Sequence, residues 1–369
     1  MKLLSQNPTS LSTPSFSIII FFFLLFIYFS ENGDGATQNK NESVPAVFVF
    51  GDSIADPGNN NNIKTIIKCN FPPYGRDFKG KIATGRFSNG VIPSDLIAQE
   101  FGIKELLPAY LDPNLKPQDL VTGVSFASGG AGYDPLTSKV ASALSMSDQL
   151  DLFKKALETI KATAGEEATA NILSKGLFMV VSGSDDIANT YLSTPFRRGQ
   201  YDINSYTDLT ASSALSFLQE LYGVGARRIG VLSLPPIGCV PVQRTLNGGI
   251  ARGCSDFANQ AAQIYNSKLQ SVVDSLSKEF PDSRFVYFDI YNPLNSLIQN
   301  PPQYGFEVAD KGCCGTGNLE VSILCNRLED AATCPDASKY IFWDSYHPTE
   351  KAYKILTPKI LNQNKDKLF

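Results

Sequence analysis

A chain of 369 residues in which 43% are hydrophobic and 18% charged has ordinary globular proportions, which exclude a disordered polar chain and leave length for one large core. Its 32 basic and 36 acidic residues give a formal charge of −4. No run of Lys and Arg tracks a phosphate backbone, so nucleic acid is set aside as a partner.

The first feature along the chain is Phe16 to Phe29, an uncharged run reading FSIIIFFFLLFIYF, preceded by Lys2 and followed by the small polar stretch Ser30 to Ala36. It is too short to span a bilayer comfortably and reads as a secretory signal peptide over residues 1–36, cleaved between Ser30 and Thr37, with a retained signal anchor as the alternative. Residues 37–369 then form a single domain, with no internal repeat, low-complexity tract or interdomain linker. Secretion leaves no membrane span after cleavage and makes Asn41, in Asn41-Glu42-Ser43, a candidate glycan acceptor.

Ala46 to Phe50 is the first short apolar run with the β-branched and aromatic content of a buried strand, and Val124 to Ala127 is the second. Helical spacing follows at Leu150, Phe153, Leu157 and Ile160. Next come a strand at Leu177 to Val181 and a helix over Ala211 to Tyr222, closed by Gly223 as its C-cap. A strand at Ile229 to Leu234 precedes a second amphipathic helix carrying Phe257, Ala261, Ile264, Leu269, Val272 and Leu276, and Arg284 to Asp289 is the fifth strand. Strands alternating with helices predict an α/β fold with a mostly parallel sheet covered on both faces, in which ligands bind beyond the carboxyl ends of the strands. Lys68 to Asn89 and Pro301 to Lys339 are rich in Gly, Pro and Cys and read as loops around a site, the second one stapled.

Seven cysteines, Cys69, Cys239, Cys254, Cys313, Cys314, Cys325 and Cys334, fit an oxidising compartment. The competing reading, zinc, fails because the chain has one histidine and because Cys313 and Cys314 are adjacent and not spaced as metal ligands are. An odd count leaves one thiol over, and isolated Cys69 is the candidate.

That single histidine lies in Phe342-Trp343-Asp344-Ser345-Tyr346-His347-Pro348. A lone histidine is usually an ordinary surface or core residue. Here a carboxylate stands three residues upstream, and Pro348 favours a helix starting beside it. A tight turn would bring Asp344 to the imidazole Nδ1, fixing its tautomer and stabilising the imidazolium. The matching nucleophile candidate is Ser53, directly after the first strand in Gly51-Asp52-Ser53. At a strand-to-helix junction, converging amides would stabilise an oxyanion; taken by position alone, an N-cap serine without chemistry is the favoured reading. The G-x-S-x-G elbow is absent, which disfavours an α/β-hydrolase assignment.

GDSIADPGNN near the start of the predicted domain, GVSFASGGAG after the second strand, GSDDIANTY after the third and DSYHP near the C-terminus occur in one order. Leu234-Pro235-Pro236-Ile237-Gly238-Cys239 and Gly312-Cys313-Cys314-Gly315 accompany them. Together they resemble the plant GDSL esterase/lipase family of the SGNH hydrolases over essentially the whole mature chain. A similarity to its subgroup of extracellular anther and pollen-coat lipases is also present. The resemblance implies a three-layer α/β/α sandwich around a five-stranded parallel sheet, flavodoxin-like, and no cofactor or metal. It implies Ser53 as nucleophile and as an oxyanion donor through its N–H, His347 as general base, Asp344 as its orienting partner, and Gly130 as a second oxyanion donor. The bland reading of Gly129 to Gly132 is a tight turn. With sequence proximity, the resemblance implies a Cys239–Cys254 bridge and two bridges among Cys313, Cys314, Cys325 and Cys334; the connectivity is not deducible from sequence.

Two departures from the family pattern stand out. Where the family most often carries Asn in G-x-N-D as the third oxyanion donor, this chain has Asp185 in Gly183-Ser184-Asp185-Asp186, and a carboxylate donates only when protonated. Ser125 replaces a common Asn, a change expected to touch local turn hydrogen bonds and not the reaction. The leading expectation is a secreted ester hydrolase of the apoplast or cell wall, using an acyl-enzyme on Ser53. Its substrates would be fatty acyl lipids, cutin or wax esters, or acetyl groups on wall polymers or small metabolites. A catalytically weakened binding or structural protein on the same fold is the alternative, and an acyltransferase the third reading; the oligomeric state is left open.

Overall fold

The computed structural model describes residues 43–369 except 327 and 329–331. Residues 1–36, expected to be a signal peptide, and Asn41 lie outside the described residues. Four strands, β1 (Val47–Gly51), β2 (Leu177–Val181), β3 (Arg228–Leu232) and β4 (Arg284–Phe288), form a parallel sheet in the order β1-β2-β3-β4. Val47 stands opposite Leu177, and Leu177 opposite Arg228.

The sheet is covered by α1 (Pro93–Glu100), α2 (Met146–Ala164), α3 (Ile203–Gly223), α4 (Asp256–Glu279), α5 (Tyr291–Gln299) and α6 (Glu350–Asn364). Alternation along the strands explains the two faces. Phe48, Phe50, Phe178, Val180, Ile229 and Val231 point into a core shared with α2, α3 and α4. Val47, Val49, Leu177, Met179, Val286 and Phe288 point into a second core with α1, α5 and α6. Burial on both faces is why these strands read as continuous apolar runs. The first core is densely aromatic: Phe48 lies 5.3 Å from both Phe153 and Phe178, ring centre to ring centre, and each fully buried Phe contributes about 1.5–3 kcal/mol.

The regular ladder has four strands, not five. Val124 to Ala127 lies along the free edge of β1, with Val49 N–H donating to the Val124 carbonyl at 3.1 Å and Phe126 N–H to the Val49 carbonyl at 2.7 Å, but it makes only an isolated bridge through Ser125. Its far side bonds Pro108 and Tyr110, and the chain then turns away into Ser128-Gly129-Gly130. Counted with this edge segment, the order is the flavodoxin-like one, in which the first strand sits between the second and third.

Two expected boundaries move. Gly223 is the last helical residue of α3 and not its C-cap; Val224 follows still in right-handed geometry, and the glycine with positive φ, 118°, is Gly225. In the stapled segment a short strand, β5 (Val308–Gly312), pairs in parallel with β6 (Tyr340–Phe342). That pairing aims the chain into the Asp344 to His347 turn.

Candidate active site

β1 delivers its carboxyl end at Gly51, where only glycine fits: φ is 137°, and a Cβ would lie 1.8 Å from the Val181 carbonyl oxygen. The buried Gln149 side chain on α2 closes this end, its Oε1 accepting from Gly51 N–H at 2.8 Å and its Nε2 donating to Gly51 C=O at 2.9 Å. Ser53 follows in a turn, not at a helix start; the first helical piece is the short 3-10 turn Asn59–Asn62. Among the described residues, the Ser53 N–H has no acceptor.

His347 arrives from the other end of the chain. Phe342 and Pro348 bridge in antiparallel fashion, and Trp343 N–H donates to the His347 carbonyl at 2.7 Å, so residues 344–347 form a tight loop. Within it Asp344 Oδ1 accepts from the N–H groups of Tyr346 at 2.9 Å and His347 at 2.7 Å. Both Asp344 oxygens lie within bonding distance of His347 Nδ1, at 2.9 and 2.8 Å. With Nδ1–H donating there, Nε2 is left as an acceptor, and Ser53 Oγ stands 2.7 Å from it. Asp344 is fully buried and His347 nearly so. Beyond Pro348, Thr349 is the N-cap of α6, which begins at Glu350.

The GDSIADPGNN block wires the Ser53 turn to the glycine turn. Asp56 accepts from Gly58 and Asn59 N–H at 2.8 and 2.6 Å and from Gly129 N–H at 3.1 Å. Asn59 Nδ2 donates to the carbonyls of Ser125 and Ala127, and Asn60 Nδ2 to that of Gly129 at 2.9 Å. Ser125 Oγ accepts locally from Ala127 N–H at 3.2 Å and donates to the Ala55 carbonyl at 2.8 Å, 70 residues away, so its bonding goes beyond the local turn expected of it. Gly130 sits at φ 90°. Its turn is pinned by buried Asp186, which accepts from Tyr133 and Asp134 N–H at 2.8 and 3.1 Å and from the Thr137 hydroxyl at 2.6 Å.

Ser53, Gly130, Asp185 and His347 line one cleft of about 290 Å³, continued by Ile67, Phe87, Val140, Ala141 and Val321. Asp185 therefore does not turn away from the site, and it makes no side-chain cap to the helical turn Asp186–Leu192 that follows it. Its Oδ1 accepts from Asn189 Nδ2, whose own Oδ1 accepts from the Tyr346 hydroxyl at 2.7 Å. Burial pushes the Asp185 carboxyl up to about 6, against the opposing pull of His347 and the Gly130 amide. Burial, and then the charge of Asp185, raise Asp52 well above the ordinary carboxylate range, and burial takes Asp186 up to about 7.

The sequence-predicted residues Ser53, Gly130, Asp185, Asp344 and His347 thus converge. Gln149, Asn189 and Tyr346 escaped the sequence reading, the last two although they lie inside quoted motifs, because nothing in the one-dimensional pattern pairs them. The cysteines pair as Cys239–Cys254, Cys313–Cys334 and Cys314–Cys325, with Cys69 free and buried. No group of three or more candidate metal ligands occurs among the described residues.

The family model described as GDSL-like Lipase/Acylhydrolase matches residues 47–360. The chain is 55% identical over 320 residues to GDSL esterase/lipase EXL3 of Arabidopsis thaliana, covering 87% of each chain. It is 51% identical over 352 residues to GDSL esterase/lipase At1g59030 of the same plant, covering 95% of this chain and 99% of that one. A solved structure of a catalytic mutant of Axe2, an acetylxylan esterase from Geobacillus stearothermophilus, aligns over 87% of this chain and 94% of that one, at 14% identity and a TM-score of 0.40.

Proposed function

This chain belongs to the GDSL-like lipase/acylhydrolase family and is a carboxylic ester hydrolase, and from that premise we propose that it cleaves esters through an acyl-enzyme on Ser53. The observation that carries this reading is the line from Ser53 Oγ to His347 Nε2 at 2.7 Å and from Nδ1 to Asp344 at 2.8 Å. His347 takes the Ser53 proton as Oγ attacks the ester carbonyl. Asp344 stays ionised and stabilises the imidazolium. The oxyanion meets the amides of Ser53 and Gly130, and the Asp185 carboxyl in its protonated form. Collapse expels the alcohol, which takes the proton from His347. Water, deprotonated by the same imidazole, then releases the acid and frees Ser53.

The apolar continuation of the cleft through Ile67, Phe87, Val140, Ala141 and Val321 supports an acyl chain lying there, with the alcohol toward solvent. Fatty acyl lipids and cutin or wax esters fit this cleft better than acetyl groups do. Three disulfides support passage through an oxidising compartment. They agree with removal of residues 1–36, a single secreted domain over 37–369, an extracellular place in the apoplast or cell wall, and a glycan on Asn41.

A fluorophosphonate probe tests the nucleophile directly. Wild-type protein is expected to be labelled at Ser53, and Ser53→Ala and His347→Ala to lose labelling and nearly all hydrolysis of an aryl ester while melting as wild type does. Combining the two should cost little more than either alone, since the residues act as a unit. Wild-type turnover by Ser53→Ala would overturn the assignment.

A further inference from the structure

The carboxylate that orients His347 is held by more than its own turn. Asp344 Oδ2 accepts from the Tyr74 hydroxyl at 2.8 Å, and Tyr74 comes from the irregular segment 68–89, some 270 residues away in sequence. The phenol is buried and its proton has a defined direction. The Tyr74 oxygen accepts from Ser322 N–H at 2.8 Å, so that side of the hydroxyl is occupied and its hydrogen is turned toward Asp344. The remaining neighbour is Cys69, whose thiol burial pushes well up, so it offers no thiolate to compete.

Ser322 is itself locked. It holds φ at 52° without being glycine, a conformation that persists only where the surroundings enforce it. Its Oγ accepts from Lys68 N–H at 2.9 Å and lies 2.9 Å from the Lys68 carbonyl and 3.2 Å from that of Ile66. Three residues later Cys325 is tied to Cys314, and Cys314 N–H donates to the Trp343 carbonyl at 2.8 Å, next to Asp344. The stapled loop, the 68–89 segment and the carboxylate thus meet at one hydroxyl.

We propose that Tyr74 is a positioning residue for the reaction, donating to Asp344 from a clamp set by Ser322 and the stapled loop, and so setting the basicity of His347. The proposal rests on the triad reading above. A donor to a carboxylate withdraws part of its charge from the imidazolium. Removing that donor strengthens the pull of Asp344 on the imidazolium, and His347 then holds its proton to higher pH.

The other titratable or charged groups around this line are Asp185 and Tyr346, facing His347, Cys69 with Asp56 behind it, Tyr353 on α6, and Arg76 over the Trp343 ring at 5.1 Å. Burial raises the phenols and the thiol, which stay neutral through the measured range. Asp185 is common to both proteins compared below.

Because the chain holds one histidine, its imidazole can be titrated by NMR without relying on turnover. Tyr74→Phe is expected to raise the His347 pKa by about half to one unit. The acid limb of kcat/KM should move by the same amount, with kcat on the plateau about tenfold lower and KM little changed. A merely structural tyrosine would lower the folded fraction and leave the imidazole titration where it was. An unmoved His347 titration in folded Tyr74→Phe overturns the proposal. If that variant does not fold, Ser322→Gly, which keeps the phenol and removes the Oγ bonds, carries the test: a shift in the same direction supports the clamp, and none overturns it. Loss of activity in Ser53→Ala together with an unmoved titration would sink the role of Tyr74 alone. Full activity in Ser53→Ala would sink the triad reading first.

Discussion

Asp185 occupies the place where the proposed reaction puts negative charge, so its protonation state sets the sign of its effect. Its carboxyl titrates at about 6, pushed up by burial. Below that value it is an O–H donor beside Ser53 and Gly130; above it, it is an anion facing an oxyanion. Activity that needs the donor is therefore expected to fall as pH rises through about 6, superimposed on the rise that follows deprotonation of His347. Asp185→Asn supplies a donor at every pH. It should abolish the alkaline fall and raise turnover of small esters at pH 8 by about tenfold or more, given that one oxyanion donor is typically worth about 10²- to 10³-fold. A pH-rate series on both proteins decides it. If the Asn variant is folded, as stable as wild type and slower throughout, the donor account fails and the carboxylate has a role of its own. The link from Tyr346 through Asn189 to Asp185 places the carboxyl with the same turn that carries His347.

At the scale of elements, the site is made by three chain segments locked to one another through side chains. Gln149 reaches from α2 to both backbone groups of Gly51 at the end of β1; the Gly51 carbonyl also accepts from Ser128 N–H at 2.9 Å, whereas the Gly51 N–H has Gln149 as its acceptor. Gln149→Leu keeps the size but leaves the buried Gly51 N–H unpaired, at about 1–3 kcal/mol, while the Gly51 carbonyl keeps the Ser128 N–H at 2.9 Å. The urea midpoint is expected to fall by an amount corresponding to about 1–3 kcal/mol, with activity lost in parallel because Ser53 stands two residues on. An unchanged midpoint would show the clamp to be dispensable. Asp56, Asn59 and Asn60 do the same between the Ser53 turn and the glycine turn. The asparagine run therefore acts as fasteners between two loops. Sequence periodicity located α2 correctly and was blind to Gln149, because a polar residue on an apolar helix face has no visible partner until the strand end is placed above it.

For the whole molecule, Asp52, Asp56, Asp185 and Asp186 are buried carboxyls whose affinity for a proton is higher in the folded state. Between the ordinary value of 3.8 and their raised values, about 6 for Asp56 and Asp185 and about 7 for Asp186, the folded chain binds more protons than the unfolded one. Stability must then decline as pH rises through that window. Asp134, held low by its hydrogen bonds to Arg197 despite its burial, works the opposite way, but only below 3.8. The thermal midpoint is expected to be higher at pH 5 than at pH 7.5, and a flat or rising profile in calorimetry would contradict this. The strands, the principal helices, the family and the five converging residues were legible in the sequence, since apolar runs, 3.6-residue periodicity and short motifs are local quantities that survive in one dimension. Local pattern overestimated the sheet by one strand: Val124 to Ala127 is apolar enough, but regular pairing depends on the neighbours at its far edge. The disulfide partners among four clustered cysteines, the donors to Asp344 and Asp185, and the clamp of Tyr74 by Ser322 were decided only by tertiary structure. Tyr74 lies 270 residues from Asp344, and even Asn189, four residues from Asp185, is held by the Tyr346 hydroxyl 157 residues away; such geometry exists only after the sheet, the stapled loop and the 68–89 segment have packed together.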